Sequence, residues 1–174
     1  MTVSEYFKRP ETSHPMELVH GILREPPAPR YGHQSLVTRT TVLLDQFVRP
    51  RGLGVVCVSP IDVVLDPAGL VVQPDVIFVS KERLGIIRQR IWGAPDLVIE
   101  VLSRRTAVRD TTEKLGWYCQ YGVKECWFIA PKEKTIEIVR CDAPLLDAPL
   151  YSGEQLIESP VLPSLIWRAK EFFE

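Results

Sequence analysis

Two acids in apolar surroundings are the first candidates for chemistry. Asp75 lies in "QPDVIFV", residues 73–79, and Glu100 in "GAPDLVIEVLSRRT", residues 93–106. Carboxylates seldom leave water without a partner, because desolvating an unpaired charge is costly. Side chains alternate along a strand, so Asp96, Val98, Glu100 and Leu102 share one face. Asp96 and Glu100 are then about 13 Å apart along an extended strand, too far to share one ion. Glu100 must find its partner elsewhere, and Asp75 can supply it if the two strands are neighbours. Two carboxylates and a backbone carbonyl, that of Val101 being the candidate, form an all-oxygen site for a hard divalent cation: Mg²⁺, or Mn²⁺ in its place. The cation would also offset the repulsion between the two acids.

A cation held this way activates water and stabilises charge developing on a phosphoryl group, and a nearby lysine orients the attacking water. The nuclease spacing is Pro-Asp followed by an acid-x-lysine strand. Pro74-Asp75 and Glu100 fit it, but Leu102 occupies the lysine position. Lys114, on the helix that follows, can replace it. Lys114, Tyr118 and Tyr121 share a helical stripe. The competing reading makes Asp75 a turn acid and Glu100 a strand acid paired with an arginine.

The elements that must carry these residues follow from periodicity. Thr2 and Glu5 form a capping box for a first helical turn, and "MELVHGILR" reads as a short strand. Leu36, Val37, Leu43, Leu44, Phe47 and Val48 mark one face of a helix that Pro50 and Gly52 end. Strand-like runs follow in "LGVVCVSPIDVVL", "LVVQPDVIFV" and "PDLVIEVL". The stretch 106–122 is a second helix, with Asp110 and Glu113 as a candidate capping box and Gly122 as the C′ residue that stops it. "ECWFIA" and "TIEIVR" are strands joined by "PKEK", residues 141–160 make a proline-rich excursion with one more strand, and "LIWRAKEFFE" closes the chain as a helix. The order predicts one domain, residues 1–174, of mixed α/β (α+β) class: a central mixed sheet flanked by helices.

With 45% apolar and 25% charged residues the composition is that of a globular domain. No apolar run is long enough to span a membrane, and "MTVSEYFKRP" lacks the apolar core of a signal peptide, so a cytoplasmic location is expected. A net charge of −1 argues against wholesale coating of nucleic acid. Local basic groups remain: Arg24, Arg30, Arg39, Arg49 and Arg51; Lys81, Arg83, Arg88 and Arg90; Arg104, Arg105 and Arg109. Cys57, Cys119, Cys126 and Cys141 lack metal-finger spacing and read as reduced, buried thiols. His33 falls at a helix start, where a neutral ring is favoured and a phosphate contact or general base is the alternative. His14 and His20 read as surface or packing residues, and Trp92, Trp117, Trp127 and Trp167 as packing residues. There is no P-loop, no G-x-G-x-x-G and no G-x-S-x-G elbow, which excludes the nucleotide-cofactor and serine-hydrolase patterns.

Taken in order, "MELVHG" (16–21), "HQSL" (33–36), "GLG" (52–54), "QPDVIFVS" (73–80), "GAPDLVIEVLSRRT" (93–106), "RDTTEKLGWYCQYGVKECWFIAP" (109–131) and "LPSLIW" (162–167) resemble the Uma-two-like restriction endonuclease family of the PD-(D/E)xK nuclease type. The resemblance covers most of the chain. It implies a restriction-endonuclease-like core and a metal-dependent site that cleaves phosphodiester bonds. On this resemblance Asp75 and Glu100 are metal ligands, Lys114 is the displaced lysine, and Glu17 completes the acidic cluster. Asp96, Ser103 and Asp110 match motif positions of less defined role. The chain departs from the family at His20, Cys126 and Ala130, where an acid, a tyrosine and an aspartate respectively are usual.

The expectation is therefore a Mg²⁺-dependent endonuclease acting on DNA, with RNA as the less favoured substrate, and a homodimer, since one site cuts one strand. The alternative is a binding or accessory module that keeps the scaffold without turnover, which Leu102 and the acidic pI of about 6.3 favour.

Overall fold

The computed structural model describes residues 1–10, 14–103, 107–144 and 147–174. Arg104 and Arg105 of the basic group, and the side chains of Arg109 and Asp110, lie outside the described residues. The chain is of mixed α+β class, as its sequence predicts, and its strands divide into two sheets.

Helix α1 (Val3–Tyr6) is closed by the expected capping box: the Thr2 hydroxyl accepts from the Glu5 N–H, and the Glu5 carboxylate accepts from the Thr2 N–H. "MELVHGILR" is not one strand but a hairpin, β1 (Glu17–Val19) and β2 (Ile22–Arg24). The reason is the His20-Gly21 pair. Both residues adopt positive φ, 49° and 84°, the geometry of a two-residue hairpin turn. Helix α2 (Tyr31–Val48) buries Leu36, Val37, Leu44, Phe47 and Val48, the stripe read from periodicity.

Two apparent strand runs are each broken in two. Ser59-Pro60, a cis bond, separates β3 (Gly54–Val58) from β4 (Val63–Asp66), and Gln73-Pro74-Asp75 separates β5 (Leu70–Val72) from β6 (Val76–Ser80). Proline cannot donate to a ladder, so each break lets the chain pass from one sheet to the other. A 3₁₀ helix (Lys81–Ile86) and β7 (Ile91–Trp92) lead to β8 (Leu97–Val101). Helix α3 (Ala107–Tyr121), β9 (Glu125–Ala130), β10 (Thr135–Arg140) and β11 (Leu150–Ser152) follow. Because α3 starts at Ala107, Asp110 lies within it and is not its cap. Glu113 instead pairs with Arg24 at 2.8 Å. The closing segment forms only a 3₁₀ turn (Ala169–Phe172), not a helix. Its apolar residues Leu165, Trp167 and Phe172 pack on the core separately, and Leu156 bridges to Arg168 across it.

The larger sheet has the order β11-β10-β9-β8-β6-β3, parallel only between β8 and β9, and the smaller has β2-β1-β5-β4-β7. Alternation along β8 and β6 divides the core. Val76, Phe78, Leu97, Ile99 and Val101 face α2 and the C-terminal segment. Ile77, Val79 and Val98 face the smaller sheet and the Trp117 and Tyr118 side chains of α3. The outer side of the smaller sheet, through Leu18, Val64 and Val71, is covered by Val3 and Tyr6.

The expectation of four thiols is corrected for one pair. Cys119 and Cys141 form a disulfide, with Cα atoms 4.8 Å apart and a sequence separation of 22, while Cys57 and Cys126 are free. Sheet register makes the pairing. The Cys141 N–H donates to the Lys124 carbonyl, which seats Cys141 beside the turn leaving α3. Among the described residues no helix is long and apolar enough to cross a membrane.

Candidate active site

Strands β6 and β8 are antiparallel, with Val76 opposite Ile99 and Ile77 opposite Val98. Continued by one residue, this register sets Asp75 opposite Glu100 on the same face, the neighbour relation inferred from the sequence. Pro74 ends the ladder there, and the Asp75 side chain closes it: its Oδ2 accepts the Val101 N–H at 2.8 Å. His33, in the first turn of α2, places Nε2 3.3 Å from the same oxygen.

Glu100 receives its partners from α3. Lys114 Nζ lies 3.2 Å from Glu100 Oε1, and the Tyr118 hydroxyl one turn later donates to that oxygen at 2.5 Å. Lys114 Nζ also lies 2.9 Å from Oε1 of Glu17, on β1 of the other sheet. The Gln73 N–H holds Glu17 Oε1 at 3.1 Å. Gln73 itself is locked, donating to Asp62 and accepting from the Met16 N–H. The site therefore forms where the two sheets meet α3 and the start of α2.

The ammonium does part of the work assigned above to a cation, because it sits between two carboxylates that would otherwise repel. Burial raises the pKa of Glu100 to about 7, Lys114 opposes that rise, and Asp75 adds to it. Burial disfavours the charged form of Lys114, but Glu100 and Glu17 outweigh it and raise its pKa above the usual lysine range. Burial and the adjacent Glu100 push the Tyr118 hydroxyl well above its ordinary value, so it serves as a donor. The hydrogen bond to Asp75 raises the pKa of His33. The side chains of His33, Asp75, Lys114, Glu17 and Glu100 keep 10–19% exposure, so solvent and small ions can reach them.

Each acid is fixed through one oxygen. Among the described residues, Asp75 Oδ1, Glu100 Oε2 and Glu17 Oε2 have no protein partner. No three His, Cys, Asp or Glu side chains of the described residues form a ready metal cage. Mg²⁺ does not require one, since it is commonly held by one or two carboxylates with water and phosphate completing its shell. Opposed Asp75 and Glu100, each with one oxygen to spare, fit that donor set.

Other sequence candidates lie elsewhere. Asp96 is fully buried at the far end of β8, paired with Lys124 at 2.6 Å and Arg83 at 3.3 Å, and it accepts the Ser80 N–H. Leu102 packs on the inner core, so the strand has no lysine at this position and the ammonium comes from α3. Ser103 lies exposed beyond β8. His20 stacks edge-on to Trp117, and Tyr121 donates to Asp66. The basic loop 81–92 is partly spent within the fold: Arg83 pairs with Asp96, while Arg90 pairs with Asp62 and lies 3.9 Å over Phe7. Sequence reasoning missed Gln73 and the bond from Tyr118. The i, i+4 spacing of Lys114 and Tyr118 was the available signal for the latter.

No curated protein matches the chain. A crystal structure described as "a putative nuclease belonging to DUF820 from Anabaena variabilis" superposes with a TM-score of 0.84 at 20% identity, covering 99% of this chain and 97% of that one. At that identity the likeness is one of fold. The Uma2 family model, described as "Putative restriction endonuclease", matches residues 3–170, and the chain belongs to that family.

Proposed function

We propose that the chain is a metal-dependent endonuclease that hydrolyses phosphodiester bonds of DNA, with residues 1–174 acting as one catalytic domain. The observation that carries this reading is the opposition of Asp75 and Glu100 at the end of the β6–β8 ladder, each with one uncommitted oxygen. Asp75 and Glu100 would hold Mg²⁺ or Mn²⁺, with the Val101 carbonyl as a third donor. Bound there, the ion supplies charge neutralisation at the phosphate and lowers the pKa of water. Tyr118 holds Glu100 in place through Oε1, which would leave Oε2 for the ion. Lys114, steadied by Glu17, orients the attacking water and offsets charge on the phosphate. His33 steadies Asp75 through Nε2, on the oxygen that Asp75 does not offer to the ion. One site cuts one strand, so a homodimer accounts for cleavage of a duplex, and family membership favours nucleic acid as substrate.

A second reading is favoured by the ion pairs of Lys114. An ammonium held by two carboxylates can be a structural bridge in a binding module that does not turn over. Plasmid cleavage with Mg²⁺ or Mn²⁺ separates the two. The nuclease reading expects losses of about 100-fold or more in Asp75→Ala, Glu100→Ala and Lys114→Ala. Cutting at equal rates by wild type and all three variants would rule it out. A wild type that binds Mn²⁺ calorimetrically but leaves DNA intact would favour the binding module.

A further inference from the structure

The Cys119–Cys141 disulfide takes no part in the proposed chemistry, yet it ties down the helix that supplies two of the site's side chains. Cys119 follows Tyr118 on the last full turn of α3, and Cys141 follows the last residue of β10. Both cysteines are half-buried and line a cavity of about 640 Å³ beside Asp96, at the opposite end of β8 from Glu100. That volume lies in the range of small-molecule sites. Its walls carry Glu82, Asp96, Glu125 and Asp142 against Lys124 and Arg140. Lys124 and Arg140 are themselves paired, with Asp96 and Asp142.

We propose that this cavity is a thiol–disulfide exchange site, at which a small thiol opens Cys119–Cys141 and frees the last turn of α3. The thiolate attacks one cystine sulfur, forming a mixed disulfide and releasing the other cysteine as a thiolate, which takes up a proton. A second small thiolate attacks the mixed disulfide, releasing the second cysteine and a small-molecule disulfide. Two electrons pass from two thiols to the cystine. Counting Arg83, which pairs with Asp96 from behind the wall, the acids still outnumber the bases by one, which favours a cationic aminothiol over an anionic thiol. After opening, the burial of Trp117 and Tyr118 and the ion pairs of Lys114 still hold the helix, so the change is a local loosening of residues 115–121.

The test uses the full chain purified without reductant. Thiol titration in denaturant should find two free thiols, those of Cys57 and Cys126, and four after reduction. Cysteamine, 2-mercaptoethanol and 3-mercaptopropionate, compared at equal thiolate concentration, should open the bond in that order of rate. Reduction should speed amide exchange in residues 115–121 by about tenfold or more and lower the melting temperature by about 5 °C. Cys141→Ser should show both changes without reductant and respond no further. If that variant does not fold, the wild type with and without reductant suffices. Four thiols in the unreduced protein, or unchanged exchange in α3 on reduction, would overturn the tether. Equal rates for the three thiols would overturn the cavity as the route. None of these readouts involves cleavage, so failure here leaves the nuclease reading standing, and loss of that reading leaves the tether standing.

Discussion

At the scale of single residues, the site is organised by Lys114. Its ammonium bridges Glu17 from one sheet and Glu100 from the other, and so permits two acids in a poorly solvated cleft. Replacing it with methionine leaves the acids facing each other without a counter-ion. Lys114→Met should cost about 2–3 kcal/mol in urea unfolding without metal. Added Mn²⁺ should recover more melting temperature in this variant than in wild type, because the ion takes over the ammonium's charge. An equal shift in both would place the metal elsewhere. Tyr118→Phe removes one donor from Glu100 Oε1 and keeps the packing. It should weaken Mn²⁺ binding by about tenfold in calorimetry and cost about 1–2 kcal/mol in urea unfolding, since a buried charged acceptor loses a donor. Asp75 and Glu100 were legible from strand periodicity and the proline between strands. Glu17 was reached only through family resemblance, since it comes from a distant hairpin. Gln73 was not legible at all, because its importance lies in three bonds to segments far off in sequence.

At the scale of elements, sequence read helices better than sheet membership. The stripe of α2 repeats over five turns and faces one layer, so local periodicity specified it. The strand runs broken at Pro60 and Pro74 read as continuous because each half is apolar, and nothing local says that the halves join different sheets. Gly54 shows how closely the strands then approach. Its φ is +152°, and a Cβ there would overlap the Val79 carbonyl oxygen and the Phe78 ring. Gly54→Ala should destabilise the chain by about 3 kcal/mol or more by denaturant titration. Gly52→Ala, at positive φ but in open space, should cost only about 1 kcal/mol. Similar losses for the two would mean that backbone conformation, not close approach, decides both.

At the scale of the whole molecule, Asp96 joins β6, the 3₁₀ segment, β8 and the start of β9 through Ser80, Arg83 and Lys124. Burial alone would raise its pKa, but the bonds from Lys124 and Ser80 outweigh burial and lower it. A carboxylate with a lowered folded pKa stabilises above its unfolded value, near 4, and that stabilisation is lost as pH falls through the folded value. Wild type should therefore lose more stability than Asp96→Asn between pH 5 and pH 3 in urea titrations. Parallel curves would show that Asp96 contributes nothing there. The sequence alone determined the mixed α+β class, the helical faces, the acids worth testing and the family, because alternation, helical stripes and ordered motifs are properties of neighbouring residues. Only the tertiary structure decided which strands share a sheet, that Lys114 lies between Glu17 and Glu100, that Asp96 belongs to another cluster, and that Cys119 meets Cys141. Those are distances between segments remote in the chain, and they are set by how the sheets and helices pack together, which no local pattern encodes.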